Sequence, residues 1–433
     1  MILRKEKIAD AVRLSTVTTD KFKSSVISFS ITFPLNKDAV AYNLLLSHLL
    51  RRGTKSYPSL ACLNKRLDEL YGSYIEIKSH HIGENLSLSI SAEILDNKYI
   101  PDSVDVMGGI IDIVSELILA PAFIQKDFNI SFFEQEKILI TDSINAEINN
   151  TRVYSAKKCV ELMQESTDIP TGEQLKELIS KATFDGLISH YNELISNAPI
   201  SIFCISAEDC NTIAKKLKAA FKEYPCQTEI SLIAPHSIER SQPKFQTVRM
   251  PVSQGKLTLG FSTGVTISGS DDSYYTMIML NEIFGGSASS KLFLNVREKM
   301  SLCYYCSSSY SLYSGIMLVS SGFEVKNHDV AIAAILEQLE DICNGKISDA
   351  ELWAAQKAII SSYRQLYDSP FDLQAFFGDR ELFGITDSIE IAERKLLAVT
   401  KEQISTLARS IRLDASFFIE GTCDSLGEED END

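Results

Sequence analysis

A chain of 433 residues with 45% apolar and 23% charged positions has an ordinary globular composition and room for two α/β domains. That composition excludes a disordered chain, a collagen-like chain and a small disulfide scaffold. The 42 Lys+Arg against 58 Asp+Glu give a formal net charge of −16, which argues against nucleic-acid binding and against docking on anionic lipid, since both need clustered cations.

Targeting and redox signals are plain. Met1 to Arg13 carries Arg4, Lys5, Glu6 and Lys7 where a signal peptide would have an apolar stretch. Apolar runs fall well short of the ~20 residues a membrane helix needs. Nine scattered cysteines, an odd number, read as reduced thiols, so a cytoplasmic location is expected. The acidic run from Gly427 to Asp433 reads as a solvated tail.

In chain order, Ile27, Phe29, Ile31 and Phe33 alternate with Ser28, Ser30 and Thr32, which predicts a strand over 24–34. Helical spacing follows over 38–51, ending at Gly53-Thr54, and over 58–71, ending at Gly72. Strands are predicted at 74–79 and 85–95, a helix at 102–119 and a long polar helical stretch at 131–165. Helices at 172–180, 183–196 and 208–222 flank a strand at 199–206. Pro225, Pro235 and Pro243 then mark residues 225–244 as a linker between an N-terminal domain, 1–224, and a C-terminal domain, 245–433. Beyond it the order restarts: strand 255–262, helices 272–284 and 288–299, strands 302–312 and 315–324. Helices at 327–344, 348–367, 371–382, 387–396 and 400–411 precede a last strand at 413–420. Both halves run strand, helix, helix, two strands and a helix-rich stretch, with Leu63–Ser79 matching Leu292–Ser308. The pattern predicts two homologous α/β domains.

The segment Leu44-Leu45-Leu46-Ser47-His48 followed by Gly53-Thr54 resembles the zinc-binding signature of the insulinase/pitrilysin peptidases, an inverted His-x-x-Glu-His on a helix with Gly-Thr after it. In such a motif two imidazoles one turn apart converge on one Zn²⁺, and the Glu takes a proton from the metal-bound water. Here the first His position holds Leu44, the Glu position holds Ser47, and His48 alone is retained. The third ligand of the family is a Glu on a downstream helix. The segment Phe133 to Ile144 resembles that helix, and its ligand position falls on Ser143, with Asp142 and Glu147 nearby. One imidazole without a base makes no catalytic zinc site, and His80-His81, adjacent on a strand, point to opposite faces.

A second resemblance lies in the other half. Phe284-Gly285-Gly286 to Leu292-Phe293, then Arg297-Glu298-Lys299 and Leu302-Cys303-Tyr304-Tyr305, is similar to the family's C-terminal signature. In the family an Arg and a Tyr seven residues later bind substrate backbone, and they map onto Arg297 and Tyr304. The competing reading makes Arg297 a helix-end salt bridge and Tyr304 an amphipathic strand residue. Cys303-Tyr304-Tyr305-Cys306 has redox or zinc-motif spacing, which carries little weight alone.

The resemblance covers about residues 22–420 and implies an α+β fold of two homologous domains, each a mostly antiparallel sheet packed with helices. It is closest in kind to bacterial non-catalytic members, which pair with a catalytic sister. The expectations are therefore a silent subunit of a heterodimeric zinc peptidase that clamps peptide substrate through Arg297 and Tyr304, no cofactor of its own, and zinc in the partner only. The alternatives are a stand-alone peptide-binding or scaffold protein, such as a homodimer, and an active zinc peptidase with unorthodox ligands.

Overall fold

The computed structural model describes residues 3–101, 104–164, 168–227, 242–267 and 272–422. Most of the expected 225–244 linker and the whole acidic 427–433 tail lie outside the described residues. No described helix is long and apolar enough to cross a membrane.

Eleven strands form two sheets among the described residues: β1 (Leu3–Ala9), β2 (Val12–Thr18), β3 (Ser24–Pro34), β4 (Tyr74–Ile82), β5 (Asn85–Leu95), β6 (Ile200–Ser206), β7 (Lys244–Met250), β8 (Gly255–Ser262), β9 (Tyr305–Ser311), β10 (Ile316–Phe323) and β11 (Arg412–Gly421). The first sheet has the order β1-β2-β6-β3-β5-β4 and the second β7-β11-β8-β10-β9. In each, one parallel pair, β2 with β6 and β7 with β11, is followed by antiparallel pairs. The second sheet thus repeats β2-β6-β3-β5-β4 strand for strand, and β1 is an addition to the first. The expected repeat and mostly antiparallel α+β architecture are what the chain adopts.

Helices α1 (Lys37–Leu49), α2 (Leu60–Glu69), α3 (Val106–Leu119) and α4 (Ser131–Ala146) follow in the first half, then α5 (Thr151–Met163), α6 (Gly172–Lys181), α7 (Phe184–Asn197) and α8 (Cys210–Ala220). The second half supplies α9 (Ser273–Asn281), α10 (His328–Cys343), α11 (Asp349–Gln365), α12 (Pro370–Leu382), α13 (Ile389–Leu397) and α14 (Lys401–Ala408). Asn36 caps α1 through Asp38 N, and Leu45, Leu46 and Leu49 sink fully into the core with Ile27, Phe29 and Ile31 of β3. Burying one such side chain is worth roughly 1.5–3 kcal/mol. Gly53 ends the segment after α1 at φ +134°, where a Cβ would lie 2.3 Å from the Tyr57 carbonyl oxygen, so only glycine fits.

The units are not the two halves of the sequence cut at the linker. Unit 1 takes residues 1–144, 168–234 and 366–382, and unit 2 takes 145–167, 235–365 and 383–433. The cause is packing. The expected helical stretch over 131–165 is two helices that part at Glu147–Asn149, where Asn150 caps the second, α5. Its Ser155, Cys159 and Met163, four residues apart, form one buried stripe on the sheet of unit 2. Ser155 Oγ meets Thr258 Oγ1 at 2.9 Å, and a Cβ on Gly260 would fall 2.4 Å from the Met163 sulfur. Conversely, α12 lies on β3 and β6 of unit 1, with Phe377 stacked 6.2 Å from Phe203 and Glu381 accepting from Ser15 at 2.6 Å. The helices are exchanged reciprocally, each covering the equivalent strand pair.

Candidate functional site

Unit 1 carries the degenerate zinc motif on α1. Leu44 is half-buried, and Ser47 is buried with its hydroxyl turned back onto the Leu44 carbonyl at 2.7 Å. His48, one turn after Leu44, is a third exposed and its Nδ1 lies 3.0 Å from Oε2 of Glu136 on α4. Arg52 Nε donates to the other oxygen of the same carboxylate at 2.8 Å, and its guanidinium covers the Phe132 ring at 4.6 Å. Glu136 is therefore buried but doubly paired. Burial pushes its carboxyl up, but the hydrogen bonds from His48 and Arg52 and the Arg52 charge outweigh it and hold the group below its ordinary 4.5. Because an ionised carboxylate only accepts, His48 donates from Nδ1 and leaves Nε2 as its open nitrogen.

Ser143 stands two turns beyond Glu136 on the same face of α4, exposed to solvent. Asp142 beside it is exposed, and Glu147 is held by Lys157 Nζ at 2.7 Å from both oxygens. His80 is half-buried and His81 exposed on β4, at neighbouring positions that face opposite sides of the sheet. Among the described residues no three His, Cys, Asp or Glu side chains gather as a metal site. One imidazole, two serines and a leucine do not make the three-ligand set that a zinc ion needs.

Glu136 and Arg52 are the residues that sequence reasoning missed. A Glu seven residues before the expected ligand, and so under it on the helix, was the available signal. The pair yields a prediction. The folded carboxyl is depressed, so its contribution to stability is full above about pH 4.5 and is lost as pH falls through the lower folded value. Glu136→Gln should cost about 1–3 kcal/mol near neutral pH and flatten the acid limb of the stability profile. Denaturant melts of both proteins from acid to neutral pH read this directly, and parallel acid limbs would refute it.

Unit 2 carries Arg297 and Tyr304. The expected α-helices over 272–284 and 288–299 prove to be α9 plus π-helical turns at Glu282–Gly286 and Leu292–Lys299. Such turns gather at functional sites. Ser301 then takes φ +50°, a strained value for a residue with a Cβ. The expected strand 302–312 starts at Tyr305, so Cys303 and Tyr304 lie just before it. Tyr305 is the strand residue: its ring lies against Gly322 and under the Arg152 guanidinium, 4.3 Å away.

Arg297 donates from Nε to the Tyr304 carbonyl oxygen at 2.9 Å, lies over Phe293 at 4.5 Å and reaches Glu298 at 3.1 Å through Nη1. Tyr304 N donates to Gly322 O at 2.8 Å, which fixes the segment while leaving the side chain 53% exposed. Arg297, Glu298, Ser301, Cys303 and Tyr304 line an open cleft of about 400 Å³ with Glu324 and Asn327. A guanidinium with spare donors and an exposed phenol on one wall suit peptide carbonyls.

The comparisons with known proteins agree with the fold and with the lost metal set. The family model described as Peptidase M16 inactive domain matches residues 181–359. A Bacillus subtilis (strain 168) protein described as a probable inactive metalloprotease, YmfF, is 30% identical over 409 residues, covering 94% of this chain and 95% of that protein. A second protein of the same organism, the uncharacterized zinc protease YmxG, is 28% identical over 177 residues, 39% of this chain and 42% of the relative. Among solved structures, a conserved protein from Enterococcus faecalis V583 superposes with a TM-score of 0.86 at 26% identity, covering 100% of both chains.

Proposed function

Since the chain belongs to the M16, or insulinase-like, family of peptidases, we propose that it is a catalytically silent member that clamps peptide substrate for a zinc-bearing sister. The observation that carries this is the contrast between its two units. Leu44, Ser47 and Ser143 stand where the metal ligands and base would be, while Arg297 and Tyr304 are held on the wall of an open cleft. Relatives described as an inactive metalloprotease and as a zinc protease occur in one organism, which supports a division of labour. The edge strands β4 and β9 are equivalent in the two sheets and each pairs on one side only, which is where an extended peptide would add a strand. The partner in this reading is a catalytic insulinase-like subunit, the ligand a peptide, and the compartment the cytoplasm.

Titration tests it. Adding this chain to the zinc-bearing relative of its own organism should raise peptide turnover and saturate at one chain per catalytic chain. A flat response, with this chain sedimenting alone or as a homodimer, favours a stand-alone scaffold instead.

A further inference from the structure

On the α5 side of the second sheet, two cations meet over one ring. Strand register puts Lys256 of β8, Gly322 of β10 and Tyr305 of β9 in a single cross-strand row. Side chains in such a row point to the same face of the sheet. Gly322 has none, so the Tyr305 ring lies back across it. Lys256 Nζ comes within 5.5 Å of the centre of that ring, and the Arg152 guanidinium of α5 covers it at 4.3 Å. Arg152 Nη2 also donates to Ser307 Oγ of β9 at 3.4 Å, and Lys256 Nζ to Gln254 Oε1 at 2.8 Å. Among the described residues the partners of both cations are thus a ring, a hydroxyl and an amide, with no carboxylate. Burial and the Arg152 charge hold the Lys256 ammonium below its ordinary 10.5. In a chain of net charge −16, this is a locally positive spot.

We propose that Arg152 and Lys256 form a carboxylate subsite, so that the peptide this chain binds carries an acidic side chain on the α5 face of β9. The proposal rests on the peptide reading above and names the class of peptide. β9 is an edge strand, and the row of Lys256, Gly322 and Tyr305 ends at its open side. A peptide strand added there continues the row about 4.8 Å further out, with alternate side chains on the α5 face. A Glu or Asp at such a position meets the guanidinium over Tyr305, whose planar fork suits a carboxylate. Lys256, two strands further in, adds attraction of the same sign. A neutral side chain gains nothing from either cation, and a Lys or Arg is repelled by both.

Isothermal titration calorimetry of the full chain alone tests this. The probes are a short, end-capped neutral peptide of Val, Thr and Ser, and its variants with one Glu at each position in turn. Glu should tighten binding about five- to tenfold at alternate positions and not at those between, and added salt should shrink the gain. Lys256→Gln should lower the Glu-to-neutral affinity ratio, and Lys256→Gln with Arg152→Gln should bring it to about one. If loss of Arg152 from the Tyr305 ring weakens the fold, Lys256→Gln by itself leaves that stack in place and still reads the ratio. Neutral-peptide binding that no Glu improves would overturn the subsite and leave the peptide reading standing. A gain that is equal at every position, or that survives both substitutions, would do the same. A chain that binds none of these peptides would refute both.

Discussion

Arg297→Ala should lower the peptide turnover of the reconstituted pair about ten- to a hundredfold, which is roughly 1.4–2.7 kcal/mol of transition-state binding. The expectation follows from what the guanidinium does. It holds the Tyr304 carbonyl at 2.9 Å, stacks on Phe293 and keeps donors for the cleft, so its loss removes one contact to the peptide and loosens the other. Misplacing a reacting group by about 1 Å can cost a hundredfold. Arg297→Lys keeps the charge but loses the planar fork, and should recover little. Tyr304→Phe deletes a hydroxyl from a half-exposed side chain whose backbone stays pinned to Gly322, so it should affect turnover about tenfold at most and leave the fold untouched. A purely structural Arg297, a third exposed and paired with its neighbour Glu298, would cost up to about 1 kcal/mol in melting and nothing in turnover. Steady-state kinetics with thermal melts of each variant separate the two. Unchanged turnover in both variants would remove the clamp.

Rebuilding the metal site should let the chain hold about one zinc per molecule. The structure refines how to do so. Glu136 already fixes the His48 ring through Nδ1, the arrangement that presents Nε2 to a metal. Leu44→His adds the second imidazole one turn away, and Ser143→Glu adds a carboxylate two turns beyond Glu136 on its exposed face. The double variant therefore supplies three ligands. Adding Ser47→Glu completes the motif but places a carboxylate where the side chain is buried, and should cost about 1–3 kcal/mol of stability without improving affinity. A folded double variant that binds no zinc in equilibrium dialysis would show that Ser143 is not the third-ligand position.

Much of the fold was legible because it rests on short-range pattern. The serine alternation that predicts 24–34 and 85–95 marks strands buried on both sides of a regular pleat, and β3 and β5 run over those same residues. By contrast, β1 escapes the pattern because Arg4, Lys5, Glu6 and Lys7 hide the alternation of an edge strand, whose outer face needs no apolar residues. The exchange of α5 and α12 could not be read at all. Their helical period says that one stripe is buried, but nothing local says which of two equivalent sheets receives it. The start of β9 differs from expectation for a related reason: π-helical turns and the strained Ser301 use extra residues before the strand, and helical periodicity does not count them. At the degenerate motif the sequence shows which groups are missing. It does not show that His48 is still held by Glu136, itself paired with Arg52, since that contact spans 88 positions between side chains.

The zinc content of the purified full chain tests the central claim most directly. Elemental analysis after exposure to excess metal and desalting should find no stoichiometric zinc, because Leu44, Ser47 and Ser143 leave His48 without companion ligands. About one zinc per chain, accompanied by chelator-sensitive peptide cleavage, would contradict the account and make this chain a peptidase in its own right.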